Sequence, residues 1–98
     1  MNKEELYRKA LDKWGESAQI LLAIEEMGEL IQVLSKSLNG RRRMPDIRIE
    51  IADVQIMIEQ LRLIFGGDPI DEIVEVRLER LSRLIKPISK DTSEGKEG

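Results

Sequence analysis

Residues 47–65 read IRIEIADVQIMIEQLRLIF, and their pattern of polar and apolar residues is strongly helical. At 100° per residue, its solvent-facing residues fall within one narrow arc of a helical wheel. The rest of the circumference is almost entirely apolar, so the pattern predicts a long helix that is buried over about two thirds of its surface. The apolar arc also contains two carboxylates and one amide, which are Glu50, Asp53 and Gln60. The solvent-facing arc contains Arg48, Gln55, Glu59 and Arg62, with Ala52 among them.

Glycine and proline divide the chain into four predicted helices, at about residues 3–13, 17–38, 46–65 and 68–86. Asn39-Gly40 is a good C-terminal stop for the second helix. Asp46 and Asp68 are the expected N-caps of the third and fourth helices, with Pro69 at a first helical position. No segment alternates for long as a half-buried strand does. The sequence therefore predicts an all-α, four-helix bundle-like domain over residues 1–87, followed by a flexible polar tail over residues 88–98.

Composition narrows the possible chemistry. The chain has 98 residues, 36% of them charged, and a net charge of only −3, which argues against a general nucleic-acid binder. Its hydrophobic content of 41% argues against disorder. It contains no cysteine and no histidine, so thiolate chemistry, cysteine-ligated zinc and a histidine base are excluded. Any catalysis would depend on carboxylates, whose hard oxygens favour Mg²⁺ or Mn²⁺.

The N-terminal sequence Met1-Asn2-Lys3-Glu4-Glu5 lacks the apolar region of a signal peptide. No run of about 18 apolar residues is present that would span a bilayer. We therefore expect a cytoplasmic protein with no membrane partner and no nucleic-acid partner.

Two predicted helices each carry a pair of acids one turn apart. Glu26 and Glu29 lie beside the apolar stripe of the second helix, and Glu50 and Asp53 lie within the apolar arc of the third. Ionised carboxylates are costly to bury unless they are paired or bind a metal. Acids at i and i+3 are about 5–6 Å apart on one face, which suits a shared cation. The alternative is a buried ion network in which the acids pair with Lys36, Arg77 or Arg80.

The same acids form a recognisable motif. The first part of the motif is Glu25-Glu26-Met27-Gly28-Glu29-Leu30. Twenty residues separate Glu29 from the second part, Glu50-Ile51-Ala52-Asp53, which Ile49 and Val54 flank. With Trp14-Gly15 and Gln19 upstream, this pattern resembles the ExxE…ExxD signature of the MazG-like, all-α nucleotide pyrophosphohydrolases. The resemblance covers about residues 5–85 and is closest to the short phage and bacterial members of the family.

This resemblance implies a helical core that assembles into dimers or tetramers. It implies Mg²⁺-dependent hydrolysis of nucleoside triphosphates, ribose or deoxyribose, to monophosphate and pyrophosphate. Glu26, Glu29, Glu50 and Asp53 would be the metal ligands, and the ion would lower the pKa of the attacking water. Glu29 and Glu50 are the catalytic candidates, with Glu29 as the acceptor of the proton of that water.

The candidates for substrate binding lie outside the acidic motif. Lys36 would contact a phosphate as a point charge. Trp14 would stack on a base, although a lone aromatic residue at a helix end also fits a packing role. Arginines of the fourth helix would hold phosphates, although they also fit ordinary surface charge pairs. The consecutive arginines 41–43 fit a solvated loop better than a ligand clamp. The full set of substrate-binding candidates is Gln19, Lys36, Trp14, Arg77 and Arg80.

The apolar surface of the third helix exceeds what a monomeric domain of this size needs, which predicts a homodimer or tetramer. Two other functions remain open on the same scaffold. One is a non-catalytic helical interaction module. The other is a regulator that binds Mg²⁺ and nucleotide without turnover.

Overall fold

The computed structural model describes residues 1–40 and 44–86, and all of their side chains except those of residues 44 and 45. Four helices make up this part of the chain, and no strand occurs in it. The all-α prediction is thereby confirmed. The predicted arginine loop at residues 41–43 and the predicted tail at residues 88–98 lie outside the described residues. The helices are α1 (Lys3–Trp14), α2 (Glu16–Leu38), α3 (Met44–Phe65) and α4 (Gly67–Ile85).

α1 begins with a capping box. The backbone N–H of Glu5 donates to Oδ1 of Asn2 at 2.8 Å, and the backbone N–H of Asn2 donates to Oε1 of Glu5 at 3.1 Å. These two bonds satisfy donors that a helix start otherwise leaves free. Gly15 has a φ of 90° and is the one residue between the end of α1 and the start of α2. Because that φ value is strained for residues with a Cβ, glycine suits this sharp break.

Two predicted helix starts need correction. α3 begins at Met44 and α4 at Gly67, so Asp46 and Asp68 lie within the first turns of their helices and are not the N-caps. Proline tolerates a first helical turn because its missing N–H would have no intrahelical acceptor there, which allows α3 to include residue 45. Both aspartates remain where a negative charge favours the helix dipole.

Residues from Met1 to Gly66 form one compact unit, in which α2 packs along α3 and α1 contacts both. Two side chains of α1 bind Glu59 of α3. The hydroxyl of Tyr7 donates to Oε1 of Glu59 at 2.5 Å, and Lys3 forms an ion pair with Glu59 at 3.5 Å. Glu59, predicted on the solvent face, is therefore partly buried. The buried residues of this unit are Tyr7, Gln19, Ala23, Ile47, Met57 and Gln60.

Many large apolar side chains of this unit are exposed. On α2, Ile24 and Ile31 are 60% and 67% exposed, and on α3, Ile49 and Phe65 are 57% and 64% exposed. The apolar surplus that the sequence indicated is therefore on the surface of the described chain.

α4 belongs to a second unit, which starts at Gly67, and none of its residues is buried. It is amphipathic, with Ile70, Val74 and Leu81 at helical spacing along one face. In residues 1–40 and 44–86, no helix is long and apolar enough to cross a membrane.

Candidate metal site

The candidate site is built by the two helices that pack most closely together. Glu26 and Glu29 come from α2, and Glu50 and Asp53 come from α3. Within each pair, the spacing of three residues places both carboxylates on one face of the helix. One carboxylate oxygen each from Glu26, Glu29 and Glu50 lies within 4.8 Å of the other two. The fold thus brings together three of the four acids that the sequence singled out.

Two oxygen atoms in this cluster are buried and have no partner. Oε1 of Glu26 and Oε1 of Glu50 are shielded from solvent and accept no hydrogen bond from the described residues. A buried polar atom without a partner costs free energy, and a charged one costs more. Both atoms come from facing helices, so a single bound cation would satisfy them together.

Burial and like charge raise the pKa of two acids. Desolvation is the largest cause for Glu26, and the charges of Glu29, Asp53 and Glu25 add to it. For Glu50, desolvation again comes first, followed by the charges of Glu29, Asp53 and Glu26 and a hydrogen bond with Glu29. Among the residues that the structure describes, the charged groups that shift these two pKa values are all acidic. In the described part of the chain, these two acids are therefore not members of the buried ion network considered as the alternative.

The other two acids differ in their placement. Asp53 is not one of the three residues whose oxygens meet within 4.8 Å, but its charge raises the pKa of both Glu26 and Glu50. It therefore lies close to the cluster. Glu29 is exposed, whereas Glu26, Glu50 and Asp53 are partly buried. Glu29 is thus the acid that a water or a ligand from solvent reaches most readily.

The donor set fits a hard divalent cation. It consists of carboxylates alone, which Mg²⁺ and Mn²⁺ prefer, and it offers the neutralising charge that a divalent ion requires. The unpartnered Oε1 atoms of Glu26 and Glu50 are the observation that supports this fit.

The candidates for substrate binding lie on three helices, α1, α2 and α4. Lys36 is exposed on α2 and lines a surface groove together with Glu29. Trp14 is 58% exposed at the end of α1, and Nζ of Lys13 lies 5.4 Å from the centre of its ring. Gln19 is only 4% exposed. Arg77 and Arg80 are exposed residues of α4, in the second unit.

Gln19 has a structural partner that the sequence analysis missed. Its Nε2 donates to Oε1 of Gln60 at 2.8 Å, and Gln60 in turn contacts the sulfur of Met57 at 3.7 Å. The position of Gln60 within the apolar arc was the available signal, because a buried amide requires a polar partner. Glu25 was also left out of the predicted site. It adjoins Glu26, and its charge raises the pKa of that residue.

Comparison of this chain with protein-family models, with curated proteins and with solved structures finds no match.

Proposed function

We propose that this protein is a Mg²⁺-dependent pyrophosphohydrolase that cleaves nucleoside triphosphates to monophosphate and pyrophosphate. The observation that carries the proposal is the pair of buried oxygens on Glu26 and Glu50 that have no partner among the described residues, with a carboxylate oxygen of Glu29 within 4.8 Å of the cluster. Burying these charged acids at the interface of α2 and α3 destabilises the fold unless a bound ligand offsets the free energy cost of their burial. The motif resemblance supports the choice of reaction.

Glu26, Glu29, Glu50 and Asp53 would hold the metal. When bound, Mg²⁺ would neutralise phosphate oxygens and lower the pKa of a water molecule that attacks phosphorus. The remaining chemistry falls to the side chains of the chain itself.

Glu29 is the best placed proton acceptor, because it is the exposed acid of the cluster. Lys36, on the rim of the groove that Glu29 also lines, would bind a phosphate through its ammonium group. Trp14 would stack on the base with the exposed part of its ring.

We further propose that the protein acts as a homodimer or tetramer in which the helices complete a bundle. The exposed apolar residues of α2 and α3 support this assembly, because such patches on a soluble domain mark interaction surfaces. A catalytic pocket would then be bordered by more than one copy of the chain.

The test is direct. Purified full-length protein is incubated with Mg²⁺ and a panel of NTPs and dNTPs, including modified ones, and both pyrophosphate and monophosphate are measured. Glu50→Gln should abolish release, and Glu72→Gln, an exposed acid of α4, is the matched control that should retain it. Absence of release by the unmodified protein across the panel would overturn the proposed reaction. Mg²⁺ binding by calorimetry without turnover would support the regulator instead.

A further inference from the structure

One face of α2 carries a strict heptad seam that is open to solvent. Successive residues of this α2 seam are spaced by three, four, three, four and three positions, which is the spacing of a coiled-coil contact line. Its bulky members are strongly exposed: Leu21 by 61%, Ile24 by 60%, Ile31 by 67% and Leu38 by 88%. The α2 seam consists of Leu21, Ile24, Gly28, Ile31, Ser35 and Leu38.

Gly28, near the middle of the seam, is unexplained by the packing of its own chain. Glycine weakens a helix interior relative to alanine, so its presence there calls for a reason. A Cβ added at Gly28 would meet no atom within 4 Å in the described structure. The surface groove that contains Glu29 and Lys36 also runs over Gly28, Ile31 and Ser35. Gly28 therefore leaves a depression in the seam, of the kind that receives a side chain from a second helix.

We propose that the α2 seam is the docking surface for a second copy of this chain, with the two α2 helices antiparallel. A two-fold axis between residues 29 and 30 makes the seam complementary to itself. Gly28 then faces Ile31 of the partner subunit, and Ile24 faces Ser35 of the partner subunit. Leu21 faces Leu38 of the partner subunit at each end. Each branched side chain of the middle layers is thus opposite a small residue, as knobs-into-holes packing requires.

A parallel, in-register pair does not give this complementarity. It would stack Gly28 on glycine and Ser35 on serine, which leaves voids between the helices, while Ile24 and Ile31 would each meet their own copy. Voids in an apolar contact forfeit dispersion and burial energy. The order of large and small residues along the seam therefore favours the antiparallel arrangement.

Charge agrees with the antiparallel arrangement. Glu25 and Lys36 flank the seam on the same side of α2, and neither forms an ion pair with any residue that the structure describes. A two-fold axis between residues 29 and 30 brings Glu25 close to Lys36 of the partner subunit, twice by symmetry. Such pairs at the edge of a helix contact favour one orientation of the partner.

The docking surface also borders the candidate metal site. Glu29 follows Gly28 in sequence, and both line the same groove together with Lys36. The second copy would thus form part of the wall beside the exposed acid of the cluster. None of the α2 seam residues is a proposed metal ligand, so failure to dimerise through the seam and failure to hydrolyse nucleotides would be distinct results.

Cysteine cross-linking tests the orientation, because the natural chain contains no cysteine. Leu21→Cys and Leu38→Cys chains are mixed under reducing conditions to exchange subunits and are then oxidised. In the antiparallel dimer, residue 21 meets residue 38 of the other copy, whereas two copies of position 21 lie about 25 Å apart at 1.5 Å per residue. We expect at least tenfold more disulfide dimer in the mixture than in either variant alone. Cross-linking of Leu21→Cys with itself would indicate a parallel pair and overturn the proposal, as would no cross-linking at all.

Mass measurement by light scattering tests the role of Gly28. Gly28→Leu fills the depression, and its Cβ would meet no atom of the described chain within 4 Å, so the helix content by circular dichroism should be retained. Its dimer dissociation constant should rise by at least tenfold. Ala52→Leu, on the exposed face of α3, is the control and should leave the dissociation constant unchanged. A wild-type chain that is monomeric, or a Gly28→Leu chain that dimerises as tightly as the wild type, would overturn the proposal.

Discussion

Gln19 of α2 donates a hydrogen bond to Gln60 of α3 across 2.8 Å, and both side chains are at least 95% buried. This amide pair lies in the unit formed by α1, α2 and α3, and it makes up two of the six residues of that unit that the structure describes as buried. Since a buried hydrogen bond requires both members in fixed positions, the pair specifies how α2 and α3 align.

The first prediction concerns this pair. Gln60→Ala leaves Nε2 of Gln19 buried without its acceptor, which should lower the free energy of unfolding by about 1–3 kcal/mol. Replacing both glutamines with alanine removes the unpaired donor as well, so the double variant should lose less unfolding free energy than the sum of the losses in Gln19→Ala and Gln60→Ala. Urea unfolding of the four proteins measures this coupling. If the losses in unfolding free energy of the two single variants add up to that of the double variant, the two amides do not stabilise each other.

A second prediction concerns the acidic cluster without metal. Burial and repulsion from neighbouring acids raise the pKa of the Glu50 carboxyl group, because they disfavour its charged form. Glu50→Gln removes that charge, so in EDTA the variant should melt at a higher temperature than the wild type. Addition of Mg²⁺ should stabilise the wild type by about 2.7 kcal/mol at 100 times its dissociation constant, and should leave Glu50→Gln nearly unchanged. Thermal melts with and without Mg²⁺ measure both effects. Glu72→Gln should behave as the wild type in each condition.

Tyr7 and Glu59 give a third prediction, on pH dependence. The Tyr7 hydroxyl, which donates to Glu59, lowers the pKa of that carboxyl, and the positive charge of Lys3 lowers it further. An acid with a lowered folded pKa contributes stability above its ordinary pKa, and this is lost as pH falls through the folded value. The pKa of Tyr7 is raised by the same hydrogen bond, so its contribution is present below its ordinary pKa of 10.0 and is lost as pH rises through the folded value.

Tyr7→Phe removes the hydrogen bond, and with it the contribution of Tyr7 and the largest of the effects that lower the pKa of Glu59, while the effect of Lys3 remains. The difference in unfolding free energy between wild type and Tyr7→Phe should therefore be greatest near neutral pH and should shrink toward both acidic and strongly alkaline pH. Urea unfolding across that range measures the difference. A difference that does not change with pH would show that the hydroxyl stabilises the fold only through packing.

The fourth prediction tests the role of Trp14 in the proposed reaction. If its ring stacks on the base, Trp14→Ala should raise KM about tenfold and leave kcat nearly unchanged, since stacking of one base on an aromatic ring is worth about 1–3 kcal/mol. Trp14→Phe, which keeps an aromatic face, should recover most of the affinity. Steady-state kinetics separates KM from kcat. An unchanged KM in Trp14→Ala would leave this residue with a packing role.

Much of the fold was predictable from the sequence. The apolar arc of residues 47–65 and the glycines at 15, 40 and 66 indicated four helices, because helical periodicity and chain breaks are local properties. The starts of α3 and α4 were predicted wrongly at Asp46 and Asp68. Capping residues also fit the first turn of a helix, so their identity alone does not fix the boundary.

The candidate site was predictable in part for the same reason. The spacing of Glu50 and Asp53 shows that they share a face with apolar residues, and α3 does hold Glu50 against the acids of α2. Periodicity gives no angle between helices, so it left open which acids meet most closely. It also could not reveal that Tyr7 of α1 contacts Glu59, because that contact depends on how α1 crosses α3.

The acids of the candidate site lie on two consecutive helices, and this affects the order of folding events. α2 and α3 must come together to bury Glu26 and Glu50, so the repulsion between these acids opposes closure of the helical hairpin in which α2 packs along α3. A cation that binds all of these carboxylates would reduce that repulsion during hairpin closure. The divalent ion concentration would then influence how fast the chain refolds as well as how stable it is.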